Sequence, residues 1–407
     1  MEMRKTKLSN LLSKGRKITY GIVQPGPYDP NGVVMIRSQD YSKGWNGIET
    51  LYKVSMTVDK PYQRSRVRHK DVLLTVVGAN IGKIEVLPKK LDGANISRSV
   101  ARISLDKEKC EPLYLSYYLK NQIDKLIHIN QVGGAQPVLN LKDLGRFQIL
   151  LPSKSEQEKI AEILLTWDTA IEKTQKLIDQ LQFRKKGLMQ QLLSAKIRLP
   201  GFNGKWEEYS YKSILKEVKR PITWDDEELY QLISVRRRSG GLFKRESLFG
   251  KEIKTKNLRI AKEGDFLISK MQIVHGASGL VTSKFDNMKI SGSYLALRAK
   301  NENQLDMKFF SWLSKLPKFY HQTYISSYGV HIEKMTFNYK SFLKLKVELP
   351  KLQEQEAIVS VLDEAEEEIR LQSNYLKSLK SQKKGLMQEL LTGKKRVKID
   401  EYRKKTY

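Results

Sequence analysis

The sequence predicts an α+β fold: two α/β domains in a pseudo-twofold arrangement, separated by two long helices that form an antiparallel coiled coil. Three observations predict it. First, a segment occurs twice at a constant offset of 198 residues, Leu151-Pro152 through Leu193 recurring as Leu349-Pro350 through Leu391. Within it, Glu156-Gln157-Glu158 returns as Glu354-Gln355-Glu356, and Lys185-Lys186-Gly187-Leu188-Met189-Gln190 as Lys383-Lys384-Gly385-Leu386-Met387-Gln388. Second, both copies carry apolar residues at alternating steps of four and three, an a/d seam sustained over about four heptads. Third, each copy follows a block of short apolar runs broken by Gly, Pro and Asn, the pattern of a mixed α/β domain.

Residues 1–152 form the first domain. Val72-Leu73-Leu74-Thr75-Val76-Val77 is β-rich and ends at the turn signal Gly78-Ala79-Asn80-Ile81-Gly82. Leu113-Tyr114-Leu115-Ser116-Tyr117-Tyr118-Leu119 reads as a helix continuing to Ile127, and Phe147–Leu151 as a strand closing the domain at Pro152. Residues 153–200 are the first helical spacer. Ser153 with Glu156, or Ser155 with Glu158, supplies a capping box, and Pro200-Gly201 follows its end. Residues 201–350 repeat the first block: Asp265-Phe266-Leu267-Ile268 echoes Asp71-Val72-Leu73-Leu74, and Phe309–Leu313 echoes the Tyr114 helix. Residues 351–395 are the second spacer, and 396–407 a basic tail.

The seam of the first helix is Ile160, Leu164, Trp167, Ile171, Thr174, Ile178, Leu181, Lys185, Leu188 and Leu192. The second gives Ile358, Leu362, Ala365, Ile369, Gln372, Leu376, Leu379, Lys383, Leu386 and Leu390 in the same register. Trp167 corresponds to Ala365, so a large residue in one copy can face a small one in the other. Two helices placed symmetrically about a twofold must pair antiparallel. Gly187 and Gly385 lie inside these helices, where glycine costs about 1 kcal/mol relative to alanine; their recurrence suggests a close approach of another backbone or a bend.

The chain has 74 Lys and Arg against 45 Asp and Glu, a net charge of +29. That balance favours a polyanionic partner, and nucleic acid is the commonest. No apolar run approaches the roughly 18–20 residues of a membrane span, so no membrane association is expected. No signal peptide is legible at Met1–Lys7. The single cysteine, Cys110, leaves no internal disulfide or cysteine-rich zinc site and fits a reducing cytoplasm.

Catalytic chemistry is sparse. There is no phosphate-binding Gly-x-x-x-x-Gly-Lys-Ser/Thr loop and no Asn/Asp-Pro-Pro-aromatic segment. His69, His128, His275, His321 and His331 lack metal-ligand spacing, so no metal site is expected. Asp225-Asp226 with Glu252 only loosely resembles a nuclease carboxylate set. Asp71 and Asp265 are duplicated, but each abuts a buried strand and reads as a turn or capping residue.

Nucleic-acid features are richer. Arg64, Arg66 and Arg68 alternate and would share one face of a strand. Arg236-Arg237-Arg238 continues the strand-like Leu232–Val235 into Ser239-Gly240-Gly241. The segments Gly78–Lys83 and His275–Gly279 are glycine loops able to bring backbone N–H groups to a phosphate. Gln39, Asn80, Asn95, Gln136 and Gln272 are candidate base readers, because an amide can bond adenine bidentately. Lys83, Arg98, Lys270 and His275 complete the candidate set. Taken singly, each is more often a turn residue or a solvated charge.

The layout resembles the specificity subunit of type I restriction–modification enzymes over essentially the whole chain. Leu151-Pro152 with Glu156-Gln157-Glu158, Lys186-Gly187-Leu188-Met189-Gln190 and their second copies carry the resemblance. Val77–Gly82 and Gly134-Ala135-Gln136-Pro137 also look like the family; Gly329-Val330-His331 departs from the latter form in the second domain. The resemblance implies a chain that is not itself an enzyme and binds no cofactor. Each domain would be a target-recognition domain reading one half of a bipartite double-stranded DNA sequence. The paired helices would act as a ruler and dock two methyltransferase subunits, which use S-adenosylmethionine to methylate adenine. Restriction subunits would add translocation and cleavage with ATP and magnesium. Helices of about forty residues, ~60 Å at 1.5 Å per residue, can hold two domains between one and two ~34 Å turns of DNA apart. A non-catalytic regulatory or architectural DNA binder and a self-contained nuclease remain the alternatives.

Overall fold

The computed structural model describes residues 3–42, 44–45, 47–129 and 138–399. The chain divides into two units, Met1–Gln175 with Asn374–Tyr407, and Lys176–Ser373. The division falls inside both long helices, so each unit holds one domain and one half of each helix.

In the first unit the strands are β1 (Arg4–Lys7), β2 (Thr19–Tyr20), β3 (Val33–Ile36), β4 (Lys53–Val54), β5 (Val72–Thr75), β6 (Ile84–Val86), β7 (Asn95–Ile96), β8 (Val100–Ile103) and β9 (Gln148–Leu151). Helix α1 is Pro112–Ile129, and the first long helix, α2, is Lys154–Leu192. The strands make a four-stranded sheet in the order β2-β8-β5-β6, a three-stranded sheet β4-β3-β7, and the pair β1-β9. All four residues of β5 are buried because both faces of its sheet are covered. Successive side chains point to opposite faces. Val72 and Leu74 enter the core with Tyr114, Leu115 and Leu119 of α1, while Leu73 packs with Ile36 and Ile96 of the three-stranded sheet.

The second unit repeats this plan. Its strands are β10 (Glu207–Ser210), β11 (Leu215–Glu217), β12 (Leu229–Val235), β13 (Leu242–Phe249), β14 (Leu258–Ile260), β15 (Phe266–Ser269), β16 (Ser278–Leu280), β17 (Lys289–Ser291), β18 (Tyr294–Ala299), β19 (Ser327–Tyr328), β20 (Thr336–Phe337) and β21 (Lys346–Leu349). Helices α3 (Met307–Leu313) and α4 (Pro317–Ile325) replace α1, and the second long helix, α5, is Leu352–Leu391. The orders β11-β18-β15-β16 and β10-β21 match the first unit, and β13-β12-β17-β14 is the counterpart of its three-stranded sheet. Phe266 and Ile268 join the helical core while Leu267 joins the other, the same alternation as in β5.

The repeated motif acquires a physical meaning here. Ser153 caps α2: the Glu156 carboxylate accepts its N–H at 3.0 Å and its hydroxyl at 2.8 Å. This decides the helix start in favour of Ser153 over Ser155. Gln157 is buried; its carbonyl accepts the Glu111 N–H and its amide donates to the Pro152 carbonyl. Gln355 makes the same latch, to the Asp306 N–H and the Pro350 carbonyl. The two glutamates are gripped by arginines that follow the other repeat. In the first unit Arg396 donates from Nε and Nη2 to Glu156, both at 2.7 Å. In the second, Arg198 donates to Glu354 at 2.6 and 2.7 Å.

Within each unit the two helix halves run antiparallel. Lys383 pairs with Asp168 in the first unit, and Lys185 with Glu366 and Arg184 with Glu368 in the second. Ile160, Leu164, Leu386 and Leu390 pack in the first unit's core; Leu188, Leu192, Ile358 and Leu362 pack in the second's. Ile178, Leu181, Ile369, Leu376 and Leu379 are buried, and Trp167 and Ile171 half-buried, so no seam position is exposed. Counting from the pairs Lys383–Asp168 and Lys185–Glu366, Trp167 stands level with Lys384 and Ala365 level with Lys186, each one residue from a helix glycine. Antiparallel packing thus removes the expected Trp167–Ala365 opposition. The expected backbone approach at the glycines is also absent, since a Cβ at Gly187 or Gly385 would meet nothing within 4 Å.

Candidate nucleic-acid interface

The chemistry-bearing residues sit on the turns that connect the central strands. Asp71 precedes β5 and accepts the Arg68 N–H at 2.8 Å; Asp265 precedes β15 and accepts the Lys262 N–H at 2.9 Å. Both duplicated aspartates are therefore turn-closing residues. Asp265 is fully buried between Arg220, at 2.6 Å, and Arg298, at 2.7 Å.

In the first unit the β5–β6 turn holds Asn80 and Lys83, with the Lys83 N–H donating to the Asn80 carbonyl at 3.1 Å. Gly82 in this turn has φ +84°, and a Cβ there would lie 2.8 Å from Ile123 of α1, so a side chain would push the turn off the helix. Gln39 is exposed on the short 3₁₀ turn Ser38–Asp40, and Arg98 is exposed on the β7–β8 turn. These are three separate loops. Gln136 lies outside the described residues.

Arg64, Arg66 and Arg68 do not alternate along a strand. Lys60–Ser65 is a 3₁₀ helix opened by Pro61, so Arg64 is helical and the other two follow its end. The three nevertheless line one cavity of about 870 Å³, together with Arg16, Lys17 and Arg102. Arg102 was missed because it sits inside the apolar strand Val100-Ala101-Arg102-Ile103, where an arginine is itself the signal.

Asn95 leaves the set of base readers. It is 0% exposed, and its amide is used in full: Nδ2 donates to Asp59 and to the Tyr62 carbonyl, and Oδ1 accepts from Ser65 and the Ile96 N–H. Asp59 also takes Arg66. A buried carboxylate held this way organises the domain interior.

In the second unit the structure brings the predicted residues together. The β12–β13 hairpin tip carries Arg236, Arg237 and Arg238, all exposed. Arg238 and Ser239 take the left-handed conformation, with φ +58° and +52°. Their N–H groups donate to the carbonyls of His275, at 2.6 Å, and Gly276, at 2.9 Å. Gly276 has φ +71°, and a Cβ there would fall 2.2 Å from the Tyr320 hydroxyl. Arg236 stacks over Phe243 at 4.5 Å, and Arg237 pairs with Glu333 at 2.8 Å. His275 Nε2 lies 3.2 Å from the same Glu333. Gln272 Oε1 is buried with no hydrogen-bond partner, and Lys270 donates to the Gly292 carbonyl at 3.0 Å. Both are turned inward, and His275 Nε2 is buried as well, so Arg236, Arg237 and Arg238 are the outward-facing part of this cluster. No sequence pattern pointed to Glu333, whose segment folds back beside the hairpin. Among the described residues no group of His, Cys, Asp and Glu is arranged to hold a metal, and no helix is long and apolar enough to cross a membrane.

Two copies of one basic domain, each joined to antiparallel helix halves, define a duplicated protein with two candidate nucleic-acid surfaces. The type I restriction modification DNA specificity domain matches residues 16–182 and again 203–381. The chain belongs to that family, and its role is DNA sequence recognition. It is 34% identical over 197 residues to the type I restriction enzyme EcoBI specificity subunit of Escherichia coli, a match covering 47% of this chain and 40% of that protein. It is 25% identical over 365 residues to the type I restriction enzyme MjaVIII specificity subunit of Methanocaldococcus jannaschii, covering 82% and 80%. Two solved structures share the fold. One is the type I restriction-modification S subunit from M. genitalium, with TM-score 0.57 and 14% identity over 98% of this chain and 97% of that one. The other is the HsdS subunit from Thermoanaerobacter tengcongensis, with TM-score 0.54 and 17% identity over 96% and 97%.

Proposed function

We propose that each domain reads one half of a bipartite double-stranded DNA sequence and that the helices dock two methyltransferase subunits, with restriction subunits joining the same complex. In this reading the chain has no catalytic site of its own and works in the cytoplasm. S-adenosylmethionine, ATP and magnesium belong to the partners. The observation that carries the reading is the duplication itself: the same domain plan and the same glutamate–glutamine helix start appear in both units. The two interfaces differ where bases would be read. Gln39, Asn80, Lys83 and Arg98 are the candidates in the first domain, Arg236–Arg238 in the second. Different residues on a common scaffold suit two different half-sites.

Single-molecule sequencing of adenine methylation tests this. DNA is taken from cells expressing the chain with its modification subunit and from cells lacking the chain. A new two-part methylated motif with a fixed gap is the expected result. Absence of any new motif, with both proteins made and associated, would overturn the reading in favour of a regulatory DNA binder.

A further inference from the structure

The cavity of the first unit is lined by more positive charge than its own carboxylates balance. Six cations line it, Arg16, Lys17, Arg64, Arg66, Arg68 and Arg102, against one acid, Asp92. Arg66 is satisfied by Asp59, and Arg16 stands 3.9 Å from the buried Asp71. Among the described residues Arg64, Arg68, Lys17 and Arg102 have no carboxylate within ion-pair distance. Arg102 is 3% exposed and is held only by neutral carbonyls: Arg64 at 2.7 Å, Arg66 at 3.2 Å and Lys17 at 3.0 Å. Its Nε is buried with no partner. Arg16 donates to the same Arg66 carbonyl, at 2.7 Å, which brings two guanidiniums side by side. Burial, and next the charge of Arg16, pull the Arg102 guanidinium down to about 10. The buried Asp71 offsets this only in part; a buried cation whose charge is incompletely balanced is costly, and an anion in the cavity removes that cost.

The second unit has no such site. Leu73 of β5 stands opposite Arg102, whereas its counterpart Leu267 stands opposite Ala296. Asp265 there absorbs two arginines, and the cavity beside Arg298 is lined by Glu302, Asp306, Glu356, Asp363 and Glu364.

We propose that the arginine cavity of the first domain binds a phosphate group, and that only this domain carries such a site. A DNA backbone phosphate, the source that follows from the function proposed above, would anchor the first half-site independently of its sequence. A free phosphate has the same chemistry.

The test uses the full chain and an Arg64→Ala/Arg68→Ala variant, both exposed positions, with folding checked by circular dichroism. Affinity for random-sequence duplex DNA is measured against salt concentration, and the melting temperature with and without inorganic phosphate. If the phosphate is DNA's, the slope of log affinity on log salt becomes shallower by about one in the variant. If it is free phosphate, the slope is unchanged, but phosphate raises the melting temperature of the parent chain and not of the variant. No difference in either measurement overturns the site. A parent chain that binds no DNA would defeat the DNA reading, and the phosphate arm would still decide the cavity.

Discussion

Removing Arg396 should loosen the first unit, although Arg396 follows the second repeat. Its guanidinium makes two charged hydrogen bonds to Glu156, whose residue is 6% exposed. Such bonds contribute about 1.5–3 kcal/mol where water is excluded. Arg396 is itself partly open to solvent, with 38% of its side chain exposed, which lowers the expectation for Arg396→Ala to about 1–2 kcal/mol. That corresponds to roughly a 5- to 30-fold larger open population. Hydrogen exchange read by mass spectrometry should show it in peptides covering residues 154–164, with residues 352–362 unchanged. Arg198→Ala should give the mirror pattern. Faster exchange in the other unit, or equal change in both, would refute the assignment of each clasp. The pH dependence has a definite sign. Burial alone would raise the Glu156 carboxyl, but Arg396 and Ser153 outweigh it and hold it below the usual range. The folded state therefore binds fewer protons than the unfolded chain. The clasp's contribution is complete above the ordinary carboxylate range of about 4.3 and is lost as pH falls through the lower folded value. Arg396→Ala should flatten that acid limb.

Gly187→Ala and Gly385→Ala meet open space, so each should raise stability in urea titration by about 0.5–1 kcal/mol; a loss would reveal a contact at these positions. Asn95→Ala strands Asp59, Ser65 and the Ile96 N–H and should cost about 2–3 kcal/mol in the same titration. The methylated motif should not change; an altered motif with unaltered stability would restore Asn95 as a base reader. Cys110 is fully buried, and burial, the largest influence, pushes its thiol up to about 12. It should not react with a disulfide reagent at pH 8 until urea unfolds the chain, and prompt reaction in the native state would contradict its placement.

The long helices were legible because a 3.5-residue repeat leaves few alternatives: each seam position from Ile160 to Leu192 and from Ile358 to Leu390 avoids full exposure. The role of Glu156 was not legible, since its partner lies 240 residues away. Arg64, Arg66 and Arg68 had the spacing of a strand, but Pro61 opens a 3₁₀ turn and local geometry overrode the pattern. Asn95 had a loop-like composition, yet two residues of strand carry it inward. The Arg236 run was legible as a strand entering a turn, and the structure places Arg236–Arg238 exposed at the tip of the β12–β13 hairpin. It was illegible at Arg16 and Arg102, where charge accumulates through tertiary contacts between segments with no common sequence signal.

The crossed clasps set an order of assembly on the ribosome. The second unit's core takes Leu188, Leu192 and Leu193 from α2 and Ile358, Val359 and Leu362 from α5. All of these have left the ribosome's active site before Leu386 is added. The first unit's core takes Leu386, Met387, Leu390, Leu391 and Val397 from a stretch made after all of these. The domain synthesised first is therefore completed last, and until then its apolar socket stays open to chaperones or to the same stretch of a neighbouring nascent chain.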